Sequence, residues 1–314
     1  MNKKVVVLGG GTGLSFLLSG LKQFPIDITA IVSVCDDGKS TGRLREEFNQ
    51  PAVGDIRRVL VSLSETEPLV EELMNYRFHT TSDLNGHTVG NLILTAMTNI
   101  TGNMSKGIKS LSKVFNLKGK VVPFSEDYVT LMGEMTDGTI VEGEHNITKI
   151  NKPIKRVFYK EEPTVTRDAI KAIKNADLII LSMGSIFTSI IPNLLCQEMI
   201  DTIDESNAKI MYCCNIVTQP GETDDFKASD HINLLNSYLG KRKIDVAIFN
   251  KEKMDPKLVL KYATEEQKDP VIIDRKNLKN IEIIEDDLVS VVNGSFRHDT
   301  IRLALLIMEY LLRK

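Results

Sequence analysis

The stretch Val5-Val6-Val7-Leu8-Gly9-Gly10-Gly11-Thr12-Gly13-Leu14-Ser15 decides the fold. Its first four residues are apolar and mostly β-branched, the pattern of a strand buried on both faces, and the apolar residues of 14–24 recur at helical spacing. Strand, glycine turn and helix therefore follow one another, as in the opening unit of an α/β sheet. Glycines remove the Cβ atoms that would hold a ligand off the backbone, and a helix start presents unpaired N–H groups with partial positive charge. Phosphate is the group that suits such a turn. The dinucleotide fingerprint Gly-x-Gly-x-x-Gly is incomplete, because Phe16 stands where its third glycine would, and no lysine follows as a Walker loop requires. A turn that serves only tight strand-to-helix packing is the competing reading.

Composition narrows the class. The 314 residues, 42% hydrophobic and 26% charged, suffice for a large α/β core. A formal net charge of -3, with no long Lys or Arg block, argues against general attraction to nucleic acid. The N-terminus enters a strand directly, and no apolar run approaches the ~20 residues that span a bilayer, so a cytoplasmic protein without a membrane span is expected. Cys35, Cys196, Cys213 and Cys214 form no C-x-x-C pair and read as reduced core residues, and the five histidines lack zinc-binding spacing.

A second buried strand over 28–34 ends in Cys35-Asp36-Asp37-Gly38-Lys39-Ser40-Thr41-Gly42-Arg43-Leu44-Arg45. Ligands of open α/β sheets sit at the carboxyl ends of the strands, so this loop and the glycine turn are expected to line one crevice. Asp36 and Asp37 stand where a nucleotide-binding fold places its ribose acid. A doubled Asp beside hydroxyls and arginines equally suits Mg²⁺ with phosphate, and Asp-Gly also makes an ordinary solvated turn. Gly54-Asp55-Ile56-Arg57-Arg58 starts a helix with Asp55 as its cap, where Arg57 and Arg58 oppose the helix dipole unless they face an anion. Gly86-His87-Thr88-Val89-Gly90-Asn91 leads into an apolar helix over 92–100. There Gly90 permits close packing, Asn91 is placed to hydrogen-bond a ligand, and His87 is either a proton carrier or a structural histidine.

Period-two patterning over 120–124, 128–135, 139–142 and 154–159, with Asp137-Gly138 as a hairpin turn, predicts an antiparallel β insertion at about 118–160. The parallel pattern resumes with a strand over 177–182 and a small-residue loop, Met183-Gly184-Ser185, suited to a second phosphate. A helix over 194–203 and strands over 209–214 and 244–249 follow, and Arg297-His298-Asp299 opens the last helix. With no linker, low-complexity stretch or repeat, residues 1–314 read as one domain.

Together, the motifs at 9–13, 36–45, 54–58, 86–91 and Thr218-Gln219-Pro220-Gly221-Glu222-Thr223 closely resemble the bacterial gluconeogenesis factor family. This is the YvcK group, CofD-like relatives of 2-phospho-L-lactate transferase, and the match runs the length of the chain in consistent order. The resemblance implies a Rossmann-like α/β fold, a mostly parallel sheet with helices on both faces. It also implies binding of a UDP-sugar, UDP-N-acetylglucosamine in members of the group, and a regulatory role in cell shape and envelope homeostasis during gluconeogenic growth. The transferase relatives move a phospholactyl group from a nucleotide-linked donor to a deazaflavin precursor with Mg²⁺, so a Mg²⁺-dependent transferase is the alternative. Ser182-Met183-Gly184-Ser185 departs from the Gly-Pro-Gly-Ser usual in the group.

Residue reading and resemblance jointly nominate as ligand contacts Gly10, Gly11, Thr12, Gly13, Ser40, Thr41, Arg43, Arg57, Asn91, Gly184, Ser185, Asn215, Thr218, Gln219 and Arg297, with Tyr262 stacked on the uracil. Asp36 and Asp37 are the candidate Mg²⁺ ligands and catalytic carboxylates. An NAD-dependent enzyme fits less well, because the third glycine is missing and the Asp is doubled. No general base, nucleophile or partner protein is identified, and a homo-oligomer is left open.

Overall fold

The computed structural model describes residues 2–292 and 294–313 and is organised by a seven-stranded parallel sheet. Its first strand, β1 (Lys4–Gly9), is buried from Val5 onward, and α1 (Gly11–Leu21) begins inside the glycine cluster. Apolar spacing places that start three residues later, because glycines carry no side chain to mark the helical face. There follow β2 (Asp27–Val32), α2 (Lys39–Phe48), α3 (Gly54–Leu63), α4 (Pro68–Asn75), α5 (Val89–Thr101) and α6 (Met104–Val114), which lead to β3 (Lys120–Pro123).

Strand β3 corrects one expectation. It pairs parallel with β2 at the sheet edge, Thr29 opposite Lys120 and Val32 opposite Pro123, and does not open the antiparallel insertion. Alternation records which faces a strand buries, not which strand it pairs with, and a proline is tolerated at an edge. The insertion itself is β4 (Leu131–Met135), β5 (Ile140–Glu142) and β6 (Ile154–Tyr159), in the antiparallel order β5-β4-β6 with α7 (Glu144–Lys149) between β5 and β6. Asp137-Gly138 makes the expected turn, with the Asp137 carboxylate accepting the Thr139 N–H at 2.9 Å.

After α8 (Arg167–Lys174) and β7 (Leu178–Leu181) irregular turns lead to the helix expected over 194–203. One π turn (Ile186–Ile190) and one 3₁₀ turn (Ile191–Leu194) precede α9 (Gln197–Glu205), since Pro192 has no N–H to continue a regular ladder. Next come β8 (Lys209–Cys213), α10 (Ala228–Tyr238), β9 (Val246–Asn250), α11 (Pro256–Lys261) and β10 (Glu282–Asp286). A hairpin, β11 (Val289–Val292) and β12 (Ser295–His298), precedes α12 (Thr300–Leu312). Arg297 therefore lies on a strand rather than at a helix start, and Asp299 caps α12 by accepting the Arg302 N–H at 3.0 Å.

The sheet runs β10-β9-β8-β7-β1-β2-β3. The chain starts in the middle, moves outward through β2 and β3, and then returns to the other side of β1 at β7. Connections from β1 and β7 thus diverge, and a crevice opens above their carboxyl ends. Helix α1 packs against α3 and α12, and α8 against α9, so that helices cover both faces. Val5, Val7, Leu8, Ile179, Ile180, Ile210 and Val246 are fully buried between them. All four cysteines are free and buried, and burial raises Cys35 to about 11 and Cys196 to about 12, which keeps both as neutral thiols.

Candidate functional site

The crevice holds a cleft of about 330 Å³, at the lower end of the size range of small-molecule sites. Gly10, Gly11, Thr12 and Gly13 form its floor. The first N–H groups of α1 belong to these residues and have no partner within the helix. A Cβ at Gly13 would lie 2.2 Å from Met183 O, so glycine there lets the start of α1 lie on the loop after β7. That loop brings Met183, Gly184, Ser185 and Ser189 into the wall, and the loop after β8 adds Asn215 and Gln219.

Asn215 fixes the loop after β7. Its Oδ1 accepts from Gly184 N–H at 2.8 Å and its Nδ2 donates to Gly184 O at 2.7 Å, holding a residue at φ 138 that a side chain would strain. The Ser185 hydroxyl turns inward, donating to Glu222 at 2.6 Å and receiving the Thr188 N–H at 3.0 Å, while burial raises the Glu222 carboxyl above its ordinary range. Gln219 lines the cleft, and its Oε1 is buried without a hydrogen-bond partner among the described residues.

The third wall comes from the hairpin, through Phe296, Arg297 and His298, and from Lys268. Arg297 Nη1 donates only to Phe296 O, at 3.2 Å, and its guanidinium lies 6.0 Å from the Phe16 ring centre. His298 is lowered to about 4 by burial, which outweighs its 3.0 Å contact with Cys214 O, so it is neutral near pH 7. Among the described residues no carboxylate lines the cleft. Helix-start N–H groups and Arg297 favour an anion there.

Against the other side of the glycine turn stands a carboxylate cluster. The Asp55 carboxylate abuts Gly10, where a Cβ would lie 2.7 Å from Oδ2, and Asp55 accepts the Gly11 N–H and pairs with Arg58 at 2.7 Å. Burial and the Asp36 charge push Asp55 up to about 6. Glu144, on α7, is pushed up to about 8 by burial, Asp36 and Asp55, against a hydrogen bond from Thr188. Asp37 faces the insertion, accepting the His145 N–H at 2.8 Å, and Asp36 Oδ1 accepts the Gly38 N–H at 3.0 Å. Glu144 was not found from the sequence, since it lies far from the other acids in a segment without a recognisable motif.

The remaining candidates fall outside the cleft. Ser40 and Asn91 form a buried network with His87: Asn91 Nδ2 donates to Ser40 Oγ at 3.1 Å, and Ser40 Oγ contacts His87 Nδ1 at 3.0 Å. Burial and Arg43 lower the His87 imidazole. Thr41 is buried beside Gly54, and Arg43 binds the carbonyls of Asp83 and Asn85. Arg57 is corrected from an anion contact to a structural cation: it is buried, bonded to Asn75 and Met74 O, and lowered to about 10 by burial and by Arg58. Asp55 is in the first turn of α3, one residue past the helix start, rather than its cap. Thr218 clips onto Asp269 through both its N–H and its hydroxyl. Tyr262 is also corrected, because its ring is buried against Phe296 with its hydroxyl accepting the Phe296 N–H at 2.9 Å, which leaves no face for a base.

Residues 5–289 match the family described as 2-phospho-L-lactate transferase CofD. The chain belongs to the CofD family. It is 46% identical to the gluconeogenesis factor of Halalkalibacterium halodurans over 98% of this chain and 96% of that relative. Identity to the gluconeogenesis factor of Bacillus subtilis is also 46%, covering 98% of each chain. A crystal structure of a Bacillus halodurans protein, described as a member of the upf0052 family, superposes with a TM-score of 0.94 at 45% identity, over 98% of this chain and 100% of that one. The α/β sheet and its crevice are thus a CofD-family architecture. Among the described residues no helix is long and apolar enough to cross a membrane.

Proposed function

We propose that this CofD-family chain binds a nucleotide-linked sugar, UDP-N-acetylglucosamine, in the switch-point cleft, and that it acts as a regulatory binding protein for gluconeogenic growth, cell shape and envelope homeostasis. One observation carries the binding reading: the start of α1, Arg297 and the unpaired Gln219 Oε1 meet in a cleft with no carboxylate among its described lining residues. The pyrophosphate lies on the α1 start beside Arg297, and a donor on the uracil or a sugar hydroxyl satisfies Gln219. The gluconeogenic role is supported by the gluconeogenesis factors 46% identical to this chain over nearly its whole length. Isothermal titration tests the ligand: one saturable site for UDP-N-acetylglucosamine is expected, and no heat with it alongside binding of a different nucleotide would overturn the reading. In a bacterium relying on this protein, its loss should impair growth on gluconeogenic carbon.

The family match and the carboxylate cluster favour one second reading, a Mg²⁺-dependent transferase of phosphorus-containing groups. Among the described residues no group of three or more His, Cys, Asp or Glu side chains is arranged to hold a metal ion. Mg²⁺, however, commonly uses one or two carboxylates and completes its shell with water and substrate phosphate. Asp36 and Asp55 are oxygen donors whose mutual repulsion a cation would relieve, so they fit it better than Asp36 with Asp37, which already accepts the His145 N–H. Bound there, Mg²⁺ would neutralise charge on a leaving phosphate. Purified protein incubated with Mg²⁺, a nucleotide-linked phospholactyl donor and a deazaflavin acceptor should then form product, and intact ligand binding without any transfer would sink this reading.

A further inference from the structure

At the end of the sheet opposite the cleft lies a second, larger groove of about 1220 Å³, between α6, α8 and the first residues of β1, β2 and β3. Seven lysines and two aspartates line it, in a chain whose net charge is -3. Lys109 pairs with Asp168 at 2.7 Å and Lys118 with Glu65 at 2.7 Å, but Lys4, Lys113, Lys120 and Lys171 are exposed and have no ion pair among the described residues. Lys113 and Lys171 sit in the last turns of α6 and α8, where a cation complements the helix dipole. Lys4 and Lys120 are on strands, and no such effect accounts for them. Phe24, Pro25 and Ile26 supply a partly apolar floor.

A second unexplained surface adjoins the first. Helix α4 exposes Leu69 (70%), Leu73 (52%) and Tyr76 just past its end (55%), at spacings of four and three residues, which is one continuous apolar stripe. Glu67, Glu71 and Glu72 flank it, also exposed. Exposed apolar stripes of this kind mark contact surfaces. The groove offers what the helix lacks, apolar floor for the stripe and ammonium groups for the glutamates.

We propose that α4 of one copy docks in the lysine groove of a second copy. The two surfaces are neighbours on one side of the molecule: Lys22 Nζ donates to Ser64 O at 2.8 Å, and Lys22 lies within electrostatic reach of Glu71. Within one chain α4 is tied to the rim and packed on α5, so it reaches only another molecule's groove. Because the patches adjoin, a single two-fold axis seats both helices at once and closes the contact, which patches on opposite sides of the molecule would not do. Among the described residues the lining contains no arginine, whose planar fork would recognise phosphate, and the apolar floor suits leucines better than a polyanion.

Sedimentation velocity of the purified full chain across a wide concentration range tests this. A concentration-dependent dimer is expected, weaker at high salt. Lys4→Glu/Lys120→Glu should give a monomer, as should Glu71→Lys/Glu72→Lys, each with a wild-type circular dichroism spectrum. An equimolar mixture of the two variants should dimerise again, because every groove then meets an α4 of opposite charge. A wild-type protein that stays monomeric overturns the proposal. So does a dimer insensitive to both charge reversals, or variants that fail to associate when mixed.

Discussion

Arg297 is the cation on which the proposed ligand binding at the cleft would depend most. Its guanidinium makes one hydrogen bond, to its neighbour's carbonyl, and no ion pair among the described residues, so its charge is available to a bound anion. We expect Arg297→Ala to weaken UDP-N-acetylglucosamine binding roughly tenfold or more, while stability changes by less than about 0.5 kcal/mol; calorimetry and a thermal melt read the two effects separately. Glu144 behaves oppositely. Its folded pKa of about 8 lies above its ordinary 4.5, so between those values the folded chain holds a proton that the unfolded chain lacks. Stability is therefore lost as pH rises through this window. Glu144→Gln should flatten that slope, leaving the smaller part due to Asp55 and Glu222, and stabilise the protein by about 1–2 kcal/mol above pH 8, as measured by urea unfolding at pH 5 and pH 8.5. Residue types at 9–13 announced a polar crevice because their chemistry is local in sequence, whereas the loop at 36–45, expected to line the same crevice, stands on the other side of the glycine turn. Tyr262, Arg57 and Glu144 were misjudged or missed because a side chain's direction depends on what packs above it.

At the scale of elements, the junction of β1 and α1 positions the site. The start of α1 rests on backbone after β7, and a methyl group at Gly13 would sit 2.2 Å from Met183 O and 2.7 Å from its carbonyl carbon. Backbone must move to admit it. Gly13→Ala should cost about 2–3 kcal/mol in denaturant unfolding and abolish nucleotide binding, whereas Gly138→Ala, in a turn with nothing within 4 Å, should leave binding intact. Strands β1, β2, β7, β8 and β9 were legible because a strand buried on both faces is a continuous apolar run. The start of α1 was not, since helical spacing needs side chains to be seen. The helix expected over 194–203 begins at Gln197, because a 3₁₀ turn carries the chain through Leu194.

For the molecule as a whole, the divergence of chain connections between β1 and β7 gathers loops from distant parts of the sequence over one cleft. A ligand bound there ties both halves of the sheet together, so UDP-N-acetylglucosamine at about 100 times its Kd should stabilise the protein by about 2.7 kcal/mol, seen as a raised Tm. NADH at matched concentration should leave the Tm unchanged. The sequence by itself determined the α/β class, the order of buried strands and the glycine turn between β1 and α1, since these follow from periodicity and from backbone freedom within a few residues. Its motif order also carried the resemblance to the family that the match over residues 5–289 shows. Only the tertiary structure decided that β3 belongs to the parallel sheet, that Asn215 holds Gly184, that Arg297 arrives on a hairpin and that Glu144 joins Asp36 and Asp55. Each of these joins residues far apart in the chain, and strand pairing and charge proximity over such distances are set by packing of the whole fold.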